Sequence, residues 1–195
     1  MTIDHASAEG AAAAPATDAL TLRQLLARVR EDYGVHHRDS SLPGFRALAA
    51  YRLGSWRHSH PNRLVRYGLA VPSRAFLRFV RNYYGIELYS TARIGRRVCI
   101  AHQGGIVIHE RAEIGDDVVI RQGCTVGAVS DDRFEAPVLE DRVELGAGSV
   151  IVGPVRIGRA ARIGPNAVVM RDVPPGSIVL APPSRVVESP PPAPE

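Results

Sequence analysis

The stretch CIAHQGGIVIHE carries His102 and His109, a Gly104–Gly105 pair and Glu110. Imidazole is the natural general base near neutral pH, because its ordinary pKa is about 6.5. The chemistry it suits is removal of a proton from a reacting group. Backbone N–H groups at Gly104 and Gly105, or Arg133 in the later stretch GAVSDDRFEAPV, could hold a developing oxyanion. Metal chemistry finds no pattern. Cys99 and Cys124 are the only cysteines and make no CxxC, and His36, His37, His58 and His60 lack ligand spacing. Nucleotide-type GxGxxG and Walker motifs are absent.

The elements that must position these residues follow from the period of the chain. Its 195 residues allow one compact domain with small appendages. Hydrophobic residues make up 45%, so most of it should fold. From Gly85 onward a six-residue period appears. Its aliphatic places are Leu88, Ile94, Ile100, Ile108, Ile114, Ile120 and Val126, then Leu139, Leu145, Ile151, Ile157, Ile163 and Val169. The fifth places are mostly small: Ala92, Val98, Gly104, Ala112, Val118, Cys124, then Val143, Ser149, Val155, Ala161, Ala167 and Val173. Each hexad reads as one short strand plus one turn, with the aliphatic residue inside and the small one at the corner. Three hexads make a coil. The fold class is therefore mainly β: a parallel β-helix of hexapeptide repeats over 85–187, with the pattern of the left-handed kind.

Two irregularities interrupt the period. A two-residue slip separates Ile100 from Ile108, and a 13-residue gap separates Val126 from Leu139. A solenoid accommodates insertions as outward loops, and local departures from a rule tend to mark functional places.

Before the repeats, residues 19–84 read as a small N-terminal α-helical region. Thr21 is the expected cap of a first helix, and Pro43 opens a second. A third segment runs from Asn62 to Asn82, with Pro72 expected to kink or split it. Residues 1–18 are Ala-rich and read as a disordered tail, and 188–195 as a Pro-rich tail. The 24 basic residues are all Arg, and the net charge is +4. That suits a phosphate-bearing ligand but is too scattered for nucleic acid. No apolar run is long enough for a membrane span. Without a secretory signal or a disulfide framework, a cytoplasmic location is the expectation.

With these features the chain resembles hexapeptide-repeat acyltransferases, and among them the serine O-acetyltransferase-like family. The resemblance is carried by GFRALAAYRLGSW, AHQGGIVIHERAEIGDDVVIRQGCTVG and ELGAGSVIVGPVRIGRAARIGPNAVVMRDVPPGSIV. It implies acetyl-CoA as cosubstrate, no metal, and a homotrimer or a dimer of trimers. It implies His102 as the base and Glu87 as its acidic partner, where Asp is usual. Residues 87 and 102 lie fifteen apart, close to one coil length. Glu110 matches the Glu of the family's GET segment, here HER. With His109 and Arg133 it is expected to contact the acceptor. Acetyl-CoA is expected in the groove between adjacent β-helices, against Gly127, Ala128, Gly146 and Ala147, with Arg162 and Arg185 near its phosphates.

Two positions depart from the serine enzymes. Ala101 stands where Asp usually precedes the base, and Phe134 follows Arg133 where His is usual. These departures and the HQGGIVIH variant point to the exopolysaccharide-type subgroup. The expectation is acetylation of a sugar hydroxyl. The alternatives are serine O-acetyltransferase in cysteine synthesis, and a non-catalytic β-helix scaffold. Zinc-binding solenoid enzymes need three histidines, two of them five apart. His102 and His109 are seven apart, with no third His in the repeat.

Overall fold

The structure is a computed structural model and describes residues 20–129 and 135–186. Arg133, Phe134 and the two expected tails therefore lie outside the described residues.

The chain opens with helix α1 (Leu22–Val35). Thr21 caps it through a reciprocal box: the Gln24 N–H donates to Thr21 Oγ1, and the Thr21 N–H donates to Gln24 Oε1 at 2.8 Å. Helix α2 (Pro43–Ser59) starts with Pro43 in its first turn, where a missing N–H costs nothing. The third helical segment is divided into α3 (Arg63–Gly68) and α4 (Ala70–Phe79). The segment is split, as expected, with the break at Leu69. Pro72, in the first turn of α4, has no N–H to donate to Gly68 O four residues back, so the helix cannot run through. A π-helical turn (Val80–Tyr84) follows and ends at Gly85, whose φ of 64° suits glycine.

From there the chain winds as three parallel sheets. The first face holds β1 (Ile86–Leu88), β4 (Ile106–Ile108), β7 (Thr125–Gly127), β10 (Val150–Val152) and β13 (Val168–Val169). The second holds β2 (Arg93–Ile94), β5 (Glu113–Ile114), β8 (Val138–Leu139) and β11 (Arg156–Ile157). The third holds β3 (Cys99–Ile100), β6 (Val119–Ile120), β9 (Glu144–Leu145), β12 (Arg162–Ile163) and β14 (Ile178–Val179). This is the parallel β-helix the period predicts, preceded by the helical region. Every aliphatic hexad position is buried, and together they form one continuous core. The fifth places are buried too, with one exception. Gly104 does not fill the corner place of its coil. Ile106 does, because the slip adds its two residues ahead of β4.

The helical region closes the open end of this solenoid. A first coil has no neighbour below it, so its backbone groups need other partners. Tyr51 Oη donates to Ala92 O at 2.8 Å and accepts the Ile94 N–H at 3.1 Å. Arg52 donates to Ile94 O at 2.7 Å and to Gly95 O, while its Nε pairs with buried Asp32 at 2.8 Å. His36 Nε2 accepts the Ile100 N–H at 3.2 Å. Side chains of α1 and α2 thus replace the missing coil. Among the described residues no helix is long and apolar enough to cross a membrane.

Candidate active site

His102 sits on the corner between β3 and β4. Ile100 pairs with Ile120 and Val107 pairs with Thr125, so this corner holds two more residues than the one above it. The insertion is tied at both feet. The Ala101 N–H donates up to Ile120 O at 2.9 Å, and the Gly104 N–H donates down to Tyr84 O at 2.9 Å. Between them His102 and Gln103 are exposed. Gly104 and Gly105 take φ values of 97° and 64°, which lets the chain turn back into β4. The result is an imidazole on a fixed base, open to a substrate. The Gly104 N–H is already spent on Tyr84, so the expected pair of oxyanion donors is reduced to Gly105.

Glu87 occupies the middle of β1, beside Val107 on the outward side of the first face. Its carboxylate accepts the Tyr89 hydroxyl at 2.8 Å and lies 3.7 Å from an Arg81 nitrogen. The hydrogen bond to Glu87 holds the Tyr89 phenol above its ordinary pKa, with burial adding to it. Among the described residues His102 makes no side-chain hydrogen bond, so its pairing with Glu87 is not formed in the single chain. Tyr89 and Arg81 stand against Glu87, and the sequence reading named neither. The available signal was the spacing: Tyr89 lies two residues beyond Glu87, where a strand returns to the same side.

His109 and Glu110 sit at the other end of β4, on the corner leading to β5. His109 is half-buried, and its Nδ1 accepts the Arg111 N–H at 3.2 Å. That is a turn-forming role. Glu110 is exposed, 4.0 Å from Arg111, and its charge adds to the upward push on the Tyr89 phenol. Within one chain the face of β4 separates both residues from His102.

The expected acetyl-CoA contacts also fall on separate edges. Gly127 and Ala128 leave β7 toward the second face, whereas Gly146 and Ala147 lie on the corner between β9 and β10. A Cβ on Gly146 would stand 2.7 Å from Ile163 O, so coil stacking alone explains that glycine. At Gly127 the nearest atom, Thr125 Cγ2, would be 3.6 Å away, so packing does not demand glycine there. Arg162 points out from the third face, 3.5 Å from Glu144, and Arg185 is exposed beyond β14. One chain cannot place these residues in a single groove. Among the described residues no group of three His, Cys, Asp or Glu side chains could hold a metal ion.

Comparison with known proteins fits this geometry. Residues 136–171 match the profile of the bacterial transferase hexapeptide (six repeats). The serine acetyltransferase of Mycobacterium tuberculosis is 40% identical over 155 residues, covering 78% of this chain and 64% of that protein. That of Helicobacter pylori strain J99 is 39% identical over 139 residues, covering 71% of this chain and 77% of that protein. The chain thus spans just under two thirds of the first relative's length and about three quarters of the second's. Among solved structures, the Neisseria gonorrhoeae serine acetyltransferase in complex with serine superposes with a TM-score of 0.68 at 28% identity, covering 84% of this chain and 69% of that one. The Vibrio cholerae enzyme gives 0.70 at 29% identity, covering 84% and 65%. With its buried hexads, its corner histidine and a relative matched over most of its length, this chain belongs to the serine acetyltransferase family of hexapeptide-repeat transferases, built on the left-handed β-helix.

Proposed function

We propose that the chain is an acetyl-CoA-dependent O-acetyltransferase whose acceptor is the hydroxyl of L-serine. The observation that carries this is the 39% identity to a serine acetyltransferase over 77% of that relative's length, in a chain that keeps the corner histidine. A thioester is already activated, so no covalent enzyme intermediate is needed. The imidazole of His102 takes the proton of the serine hydroxyl. The oxygen attacks the thioester carbonyl carbon, and the Gly105 N–H is placed to help hold the oxyanion. The C–S bond then breaks, and the imidazolium returns its proton to the departing thiolate. The products are O-acetyl-L-serine and CoA. Glu87 serves as the acid that orients His102 and stabilises its imidazolium.

This replaces the glycan acceptor expected from Ala101 and Phe134. Relatives 37–40% identical to this chain carry the name serine acetyltransferase. Ala101 itself is engaged through its N–H in the ladder to Ile120.

A homotrimer is part of the same reading. Gly127 and Ala128 of one copy and Gly146 and Ala147 of the next would then line one groove for acetyl-CoA. The exposed Val107 and Val168, on the outward side of the first face, would gain cover. We place the enzyme in the cytoplasm, where acetyl-CoA is available. The test is release of CoA from acetyl-CoA by the purified protein, with L-serine in one reaction and sugars in another. Release with serine is the expected result. Release with sugars alone overturns the serine assignment.

A further inference from the structure

We propose that Tyr89 and Arg81 are positioning residues that clamp one carboxylate oxygen of Glu87 and present the other to His102. This rests on the reading of Glu87 as the orienting acid. Both contacts end on the same atom: the Tyr89 hydroxyl donates to Oε1 at 2.8 Å, and the Arg81 Nη1 stands 3.7 Å from Oε1. Among the described residues Oε2 has no partner. Glu carries one more rotatable bond than the usual Asp, so its carboxylate has more positions to lose before it can orient a base. A clamp on Oε1 removes that freedom in advance and leaves Oε2 for the imidazole N–H.

The clamp is itself supported. The Arg81 Nε donates to Asn82 Oδ1 at 3.2 Å, which fixes the guanidinium plane. Arg81 projects from the π-helical turn, an element often found at functional places. That turn ends at Tyr84, whose carbonyl anchors the foot of the His102 corner through Gly104. The helix that supplies Arg81 therefore also fixes the height of His102. The raised Tyr89 phenol stays a hydrogen-bond donor across the working pH range.

Four proteins test this: the wild type, Tyr89→Phe, Glu87→Gln and the double variant. CoA release is followed with whichever acceptor supports turnover. Tyr89→Phe is expected to lower kcat about tenfold and leave KM for acetyl-CoA unchanged. In the Glu87→Gln background it should cost nothing further, because the group it positions is gone. An equal loss in both backgrounds, or none in either, overturns the proposal. A Glu87→Gln protein with wild-type kcat overturns the orienting role of Glu87, and the proposal with it. A second readout needs no turnover. The absorbance titration of Tyr89, taken as wild type minus Tyr89→Phe, should move down toward ordinary tyrosine when Glu87 is Gln. An unmoved titration overturns the clamp whatever the acceptor proves to be.

Discussion

His36 Nε2 accepts the backbone N–H of Ile100 at 3.2 Å, two residues before His102. The other ring nitrogen lies 2.6 Å from Asp32 O, a carbonyl that can only accept. These partners assign the neutral tautomer with its proton on Nδ1. The imidazole is 2% exposed and pins the first strand of the third face to α1. His36→Ala should leave the Ile100 N–H buried without an acceptor. The expected cost is about 1–3 kcal/mol, measured by urea unfolding. Because Ile100 leads into the corner that carries His102, kcat should fall as well. An unchanged unfolding midpoint would show that this contact carries no weight.

Gly44 tests the same junction from the other side. A Cβ there would lie 2.0 Å from Ile100 O and 3.0 Å from His36 Nε2. The carbonyl is backbone and cannot step aside, so α2 would have to lift from β3. Gly44→Ala should destabilise by about 3 kcal/mol, although alanine is the better helix former. Gly34→Ala, at a helical position with open space around it, is the control and should be neutral or slightly stabilising. Thermal melts of the two variants decide the matter.

Several surface carboxylates, one on α1 and the others on the solenoid, are held below their ordinary range. Hydrogen bonds from Arg96 to Glu31 and from Arg97 to Asp117 are the main causes. For Glu140 it is the Arg159 backbone N–H, then Arg156. Each folded-state value lies below the unfolded one, so the stabilisation is complete above the ordinary carboxylate range near pH 4. It is lost as pH falls through the lowered values. The contribution of these carboxylates to the melting temperature should therefore be lost below about pH 4. Arg97→Gln should lessen that loss. A melting temperature that rises on acidification would contradict this.

The solenoid was legible because its code is local. Ile151 and Ile157 are buried by the same six-residue step, whatever lies elsewhere in the chain. The corner of His102 was legible for the opposite reason, as a break in that step between Ile100 and Ile108. The end cap was not legible. Tyr51 and Arg52 read as ordinary residues of a helix, and only the fold shows them bonded to Ala92 and Ile94, some forty residues on. Pro72 split its segment as expected, with the break a few residues ahead of it, because the bond a proline cannot make is to the residue four back. The contacts on Glu87 were missed because Tyr89 and Arg81 come from opposite sides of the helix-to-strand junction. The turn that His109 closes, by accepting the Arg111 N–H on its ring nitrogen, is visible only in the fold.

The most direct test is CoA release from acetyl-CoA and L-serine by wild type and His102→Ala. The variant should lose at least about a thousandfold in kcat while its melting temperature and oligomeric state stay those of the wild type, because His102 is exposed on a corner tied by its neighbours' backbone. A His102→Ala protein that is folded and still transfers acetyl groups at the wild-type rate would contradict the assignment of this corner as the catalytic centre.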